Sequence, residues 1–368
     1  GETVGEIELA SRYYDGRIIA ITGTNGKTTT TELVERVMQA AGHDTVACGN
    51  YDRTRAIWDG RVGIEGAEVN YVYLEAEEAF HRAFKFAEFD VTEISFSSHM
   101  ITAARGEAPY VGIPAFVSRV FRHSAIYVRT DRGIRRPEDL RGKLVGLPEY
   151  QLTACLWVRG ILEDQYGVRP ADVRWRTGGQ EEPGRGERAR LELPAEIECE
   201  AIPADRTLVG MFEAGELDAL VTARAPSSFV ESAANVARLF PDYEAAERAY
   251  YAETGLFPIM HLVGIRRDLV ERHPWLPVSV FKAFEAARRL ALADLDEIGC
   301  LRVSHPWIYA RTQAVKALMG DDFWPYGIAR NRGELEAMMR WSYAQGLAAR
   351  PLALDDLFAP STLDLARI

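Results

Sequence analysis

Strands and helices alternate along this chain from about Asp44 onward, and that alternation limits the available folds more than any other feature. Apolar, β-rich runs fall at residues 44–48, 67–74, 91–96, 113–117 and 124–128, and segments with helical spacing, such as 77–87, lie between them. Alternating strands and helices pack as a sheet with helices over its faces, so the class is α/β. At 368 residues there is room for about two domains and a substantial core.

Where the second domain begins rests on a resemblance. In the stretch 133–146, Pro137-Glu138-Asp139 opens a short capped turn of helix that runs into an apolar strand. It is similar to the entry into the second lobe of type 2 periplasmic-binding-protein folds, and Gly215-Glu216-Leu217-Asp218-Ala219-Leu220-Val221-Thr222 resembles the last strand of that lobe. The resemblance implies a two-lobed fold with lobe one at 44–133 and 230–368 and lobe two at 134–229. Residues 261–265 become a returning strand, and the amphipathic helices from Leu276 wrap lobe one.

Residues 1–43 form a separate, P-loop-like βα unit: a strand at 17–22, the turn Gly23-Thr24-Asn25-Gly26, and a helix from Lys27 to Ala41 stopped by Gly42. Backbone amides of such a turn face an anion, Lys27 adds charge and Thr28 could hold Mg²⁺, making Gly23, Asn25, Gly26, Lys27 and Thr28 nucleotide-binding candidates. The loop is shorter than the usual G-x-x-x-x-G-K-[ST], since Ile21 and Thr22 stand where its first glycine belongs. The run from Ile19 to Thr29 resembles the ATP loop of the Mur ligases, specifically the muramoyl-alanine:D-glutamate ligase, and the resemblance stops near residue 50. Such a ligase needs a full ATPase domain and an amino-acid domain, so the expectation is a displaced fragment without nucleotide function.

Ligands of two-lobed α/β folds sit in the crevice at strand C-terminal ends, which selects polar residues just after strands. Asn50-Tyr51-Asp52-Arg53-Thr54-Arg55 brings together an acid, a phenol and two guanidiniums, of which Arg53 or Arg55 could grip a carboxylate through paired hydrogen bonds. Ser95-Phe96-Ser97-Ser98-His99 offers Ser98 and His99 at a helix start, where one of the serines would serve as cap. The connection Ser118-Arg119-Val120-Phe121-Arg122-His123-Ser124 adds Arg119 and His123. Pro148-Glu149-Tyr150-Gln151 precedes a helix, so its amides could bind an anion while Tyr150 packs on a ring. Arg224 and His261 are the remaining polar residues able to face the crevice. Residues 178–194 read as a long polar loop over the cleft or away from it, and Asp205 as a helix cap.

Several classes of function are excluded. Forty-three Lys and Arg stand against 54 Asp and Glu, a net charge of −11 without a basic stripe, which argues against nucleic acid as a partner. Cys48, Cys155, Cys199 and Cys300 never form C-x-x-C and the histidines never fall at H-x-H or H-E-x-x-H spacing, so no metal is expected. No apolar run approaches the ~20 residues of a membrane span. The first residues lack a basic start and apolar centre, and a cytoplasmic protein is expected.

From about Asn50 to the end the chain resembles the 4,5-dihydroxyphthalate decarboxylase family, on Asn50-Tyr51-Asp52-Arg53-Thr54-Arg55, Phe89-Asp90-Val91-Thr92-Glu93-Ile94-Ser95, Phe121-Arg122-His123-Ser124, Pro148-Glu149-Tyr150-Gln151-Leu152-Thr153, Thr177-Gly178-Gly179-Gln180, Phe257-Pro258-Ile259-Met260-His261 and Gly320-Asp321-Asp322-Phe323-Trp324-Pro325-Tyr326-Gly327. The resemblance implies cofactor-free loss of CO₂ from an aromatic diacid to give 3,4-dihydroxybenzoate. Ring protonation at the carboxyl-bearing carbon then needs an acid, a group polarising a phenol, and cations on the carboxylates. On that reading His123 or His261 is the acid, Asp52 polarises a hydroxyl, Arg53 and Arg119 hold carboxylates, Tyr150 stacks on the ring, and Ser98, His99, Gln151 and Arg224 line the substrate. The alternatives are a solute-binding protein for an aromatic carboxylate and a fragment of an ATP-dependent Mur-type ligase. An exposed helix of the extra βα unit could pair copies into a homo-oligomer.

Overall fold

The computed structural model describes residues 44–365, so the nucleotide-loop residues Gly23, Asn25, Gly26, Lys27 and Thr28 lie outside it. Two sheets organise the described chain. The first is built from β1 (Asp44–Cys48), β2 (Val69–Tyr73), β3 (Val91–Ser95), β4 (Tyr110–Arg119) and the late strand β11 (Ile259–Arg266), in the order β2-β1-β3-β11-β4. β1 runs parallel to β2 and β3, and β11 lies antiparallel between β3 and β4. Every residue of β3 is buried, as a strand covered on both faces requires.

The second sheet holds β5 (Ile126–Arg129), β6 (Leu144–Leu147), β7 (Arg174–Thr177), β8 (Cys199–Ala201), β9 (Ala219–Val221) and β10 (Val236–Arg238), ordered β10-β5-β9-β6-β7-β8. This moves the expected lobe boundaries. The sequence reading put residues 124–128 and 230 onward in lobe one, whereas β5 pairs with β9 and β10 of the second sheet. The chain therefore crosses between Arg119 and Ile126 and returns between Arg238 and Ile259. Sheet membership is a choice of partner, here Tyr127 against Leu220 and Val128 against Ala219, and nothing local to a short apolar run encodes it.

The helices that carry the cleft follow strand ends: α1 (Asp52–Trp58) after β1, α2 (Ala76–Phe86) after β2, α3 (Phe96–Ala104) after β3 and α4 (Thr153–Tyr166) after β6. Near the C-terminus, α5 (Leu276–Asp296) packs on α1, and α6 (Arg332–Ala344) packs on α4. The short helix Leu208–Glu213 is capped by Thr207, whose extended backbone lets its hydroxyl accept from the Gly210 amide at 3.1 Å, and not by Asp205 as expected.

α4 joins the lobes into one core. Its first ten residues are buried, the Trp157 indole donates to the Ile259 carbonyl at 2.9 Å, and Arg159 donates to the Gln345 side-chain oxygen at 2.7 Å and the Tyr150 carbonyl at 2.8 Å. Trp157 and Trp341 meet edge-to-face at 5.0 Å, and the Trp341 ring lies directly over Gly160. A Cβ at Gly160 would sit 2.3 Å from that ring, so only glycine allows the two helices this approach. Gly160→Ala is expected to destabilise the protein by about 1–3 kcal/mol through overpacking, read as a lower urea midpoint at unchanged slope.

Candidate active site

A buried carboxylate organises the end of the first sheet. Glu93 sits in the middle of β3 with its side chain fully buried, and four donors converge on it: the Gly49 amide at 2.9 Å, the Tyr51 hydroxyl at 2.7 Å, His261 Nδ1 at 2.6 Å and, more weakly, the Cys48 thiol at 3.7 Å. Burial alone would raise its pKa, but the hydrogen bonds and charge of His261, with Tyr51 and the Gly49 amide, hold it below the ordinary carboxylate range. Tyr51 responds in the opposite sense, its phenol pushed far up by burial and by Glu93, so it stays a donor. A Cβ at Gly49 would fall 2.8 Å from the Tyr51 ring and 3.2 Å from the carboxylate, which is why glycine follows β1 here.

With Nδ1–H committed to Glu93, the His261 ring is held in one orientation, its side chain 19% exposed, with Phe80 of α2 edge-on at 4.6 Å. His261 lies opposite Ser95 on β3 and Ser118 on β4. Ser95 Oγ is 3.1 Å from Thr153 Oγ1 of the second lobe, Ser98 donates to Ser95 at 3.3 Å, and the Ser97 amide donates to Thr153 at 3.1 Å. These hydroxyls link the starts of α3 and α4 beside His261.

A bulge in β4 shapes the other side. Between the pairs His261–Ser118 and Val263–Ile113 the register slips through Pro114–Val117, and the freed carbonyls find partners outside the sheet. Pro114 accepts from the Gly327 amide at 2.8 Å, Phe116 from the Trp324 indole at 2.9 Å, and Val117 from Arg53 Nε. The Arg53 guanidinium is stacked between the Tyr51 and Trp324 rings, 4.2 Å from each centroid. Asp52, half exposed, pairs with Arg53 at 3.0 Å and so orients that cation; it does not approach the Glu93 group itself.

Of the residues singled out from sequence, His261, Arg53 and Ser98 are thus brought together, and the others are placed elsewhere. His99, on α3, is bonded through Nε2 to the Leu357 carbonyl at 2.8 Å, and burial pushes its pKa down to about 4. His123 is buried between Phe240 and Tyr250 with an unpartnered Nδ1 and is likewise pushed down to about 4. Arg119 is fully buried against Glu334, Asn331 and the Phe257 and Pro325 carbonyls. Tyr150 is enclosed, its ring covered by Arg159 at 3.6 Å, so it cannot stack on a ligand. Gln151 donates to Glu149 in the interior, and Arg224 is exposed near Glu77. The Tyr150 and Gln151 amides, expected to meet an anion, are bonded by the Glu187 carboxylate of the chain's own loop. Local polarity was visible in sequence, while for His99 and Arg119 the direction of the side chain depended on partners more than 200 residues away.

Glu93, Tyr51, Gly49, Ser118, Thr153 and Trp324 were not named as site residues. A usable signal existed for one of them: an acid inside the apolar strand Val91-Thr92-Glu93-Ile94-Ser95 must be paired or functional. A cavity of about 850 Å³ lies elsewhere, along α5 and the chain's end, with Arg288, Asp322 and Arg330 on its wall already paired. Among the described residues no His, Cys, Asp and Glu side chains converge as a metal-binding group.

The two-sheet architecture matches solved structures of periplasmic binding proteins. A periplasmic sulfonate-binding protein of Methylobacillus flagellatus aligns with a TM-score of 0.50 over 87% of this chain and 92% of its own, at 12% identity, which places the fold in the type 2 periplasmic-binding-protein-like class. The 4,5-dihydroxyphthalate decarboxylase of Comamonas testosteroni is 42% identical over 324 residues, 88% of this chain and 98% of the relative. That of Pseudomonas putida is 45% identical over 207 residues, 56% of this chain and 80% of the relative. The chain belongs to the 4,5-dihydroxyphthalate decarboxylase family, and by class it is a carboxy-lyase. The Mur ligase middle domain family also matches residues 21–107, beyond the residue-50 limit read from the sequence. A UDP-N-acetylmuramoylalanine–D-glutamate ligase of Alkaliphilus oremlandii is 59% identical over 49 residues, only 11% of that relative's length.

His123→Phe should leave turnover intact, because this imidazole lies outside the Glu93 group. A depressed histidine contributes stability that is complete above its unfolded pKa near 6.5 and is lost as pH falls toward its folded value near 4. Thermal melts of His123→Phe from pH 7 to pH 4 should show a shallower acid loss than the parent.

Proposed function

We propose that this chain decarboxylates 4,5-dihydroxyphthalate or a close aromatic 1,2-dicarboxylate, with His261 as proton donor and Glu93 as its positioning partner. The observation that carries the reading is the 2.6 Å bond from His261 Nδ1 to a fully buried carboxylate, at the strand ends where a ligand of this fold class sits. In the imidazolium form, Nδ1–H stays on Glu93 and Nε2–H faces the substrate. Nε2 delivers its proton to the ring carbon that bears the leaving carboxylate, while the hydroxyl para to it feeds electron density into the ring. The C–C bond then breaks, its electron pair restores aromaticity, and CO₂ departs, leaving 3,4-dihydroxybenzoate and a neutral imidazole that regains its proton from water.

Glu93 stabilises the imidazolium without moving, which is electrostatic preorganisation rather than proton relay. Arg53 supplies the cation for the retained carboxylate: its Nε, Nη1 and both faces are engaged, and among the described residues its Nη2 has no partner. Ser95, Ser98 and Thr153 provide hydroxyls for the phenolic edge.

Following CO₂ release from 4,5-dihydroxyphthalate tests the reading. His261→Ala should lower kcat by about 10²–10⁴-fold, the usual worth of a placed proton donor. Arg53→Ala should raise KM by at least about tenfold, the loss of roughly one charge-assisted hydrogen bond. Binding without CO₂ release in the parent protein would indicate a solute-binding protein, and full activity in His261→Ala would remove the acid assignment.

A further inference from the structure

The two lobes share one continuous hydrophobic core through α4, so the cleft has little freedom to open by hinging. One segment that touches both lobes, residues 178–198, contains no helix or strand; Ala189, Leu191 and Leu193 pack on the core and Arg105 of lobe one donates to the Arg190 carbonyl, whereas residues 185–188 are held by charge. Arg185 donates from Nε and Nη2 to the buried Glu149 of lobe two, at 2.8 and 2.6 Å, and its Nη1 lies 3.6 Å from Glu77 on α2 of lobe one. Arg188 adds a second guanidinium to Glu149 at 3.1 Å, and Glu187 accepts from the Tyr150 and Gln151 amides.

These contacts flank the active site from both sides. Glu77 and Phe80 are three residues apart on α2 and share a face, and Phe80 covers the His261 ring. Gln151 stands two residues before Thr153, whose hydroxyl meets Ser95 opposite His261. The holds on the two lobes differ in strength. Glu149 is 1% exposed and carries two arginines, whereas Glu77 is 49% exposed and its bonds to Arg185 and Arg224 are long, at 3.6 and 3.9 Å. Exposed pairs of that kind are weak and screened by salt.

We propose that residues 181–188 are an ionic lid on the cleft, anchored to lobe two by Glu149 and latched to lobe one through Arg185 and Glu77, which opens by releasing the Glu77 side. A site for a dianion is thus covered by guanidiniums whose partners are carboxylates, and the substrate class inferred above, on which this last point rests, can exchange with them.

Trypsin reads the lid directly, because Arg185, Arg188 and Arg190 lie within or beside it. Native-state cleavage there tracks the open population. Glu77→Gln, an exposed substitution that keeps side-chain size, should be cut in 181–188 several-fold faster than the parent protein at low salt. Raising NaCl to 0.5 M, roughly a 4 Å screening length, should bring the parent up to the variant's rate. Equal rates at low salt, or a parent rate indifferent to salt, would overturn the latch. Phthalate should slow cleavage in both proteins; if it slows neither while Glu77→Gln is still cut faster, the lid stands and the aromatic dicarboxylate reading fails.

Discussion

An ionised carboxylate without partners in a protein interior costs several kcal/mol, and removing one partner of a buried pair is strongly destabilising. Glu93 escapes that penalty because an amide, a phenol and an imidazole meet it from the residue after β1, the start of α1 and β11. The requirement runs in both directions. The carboxylate needs those three segments together, and their assembly holds the His261 ring in a single pose.

The surrounding framework keeps that pose. The β4 bulge turns three carbonyls outward to Gly327, Trp324 and Arg53, so the C-terminal segment and α1 are tied to the same edge that carries Ser118. Arg53 is confined by two aromatic faces, a carbonyl and Asp52, and little rotamer freedom remains to be lost when a carboxylate arrives. On the far side, α4 inserts Trp157 and Arg159 between the lobes, and the enclosed arginines Arg119 and Arg159 serve that architecture rather than a ligand. Burial pulls the Arg119 guanidinium down to about 10 against the opposing pull of Glu334, as expected of a charge enclosed among protein partners.

Much of the fold was legible, for a physical reason. Hydrophobic runs of β1, β3 and β4 follow from burial on both faces, and α1 and α3 begin just after the runs of β1 and β3, so element order could be read locally. Strand partners could not, and β5 and β10 were assigned to the wrong sheet because both are short and lack a distinguishing pattern. The same limit governed the site. His99, His123 and His261 were equivalent as sequence symbols, yet one bonds a carbonyl 258 positions away, one is packed among rings, and one meets Glu93.

What the sequence determined by itself was the α/β class, the strand ends at which polar residues collect, and a family resemblance spread over most of the chain. Which of those polar residues face one another was decided only in three dimensions. The pairing of His261 with Glu93, the withdrawal of Arg119 into the core against Glu334, and the folding of Glu187 onto the Tyr150 and Gln151 amides all join segments 36 to 215 residues apart. Contacts across such distances depend on strand register and helix packing, which are properties of the assembled core and not of any stretch of chain within it.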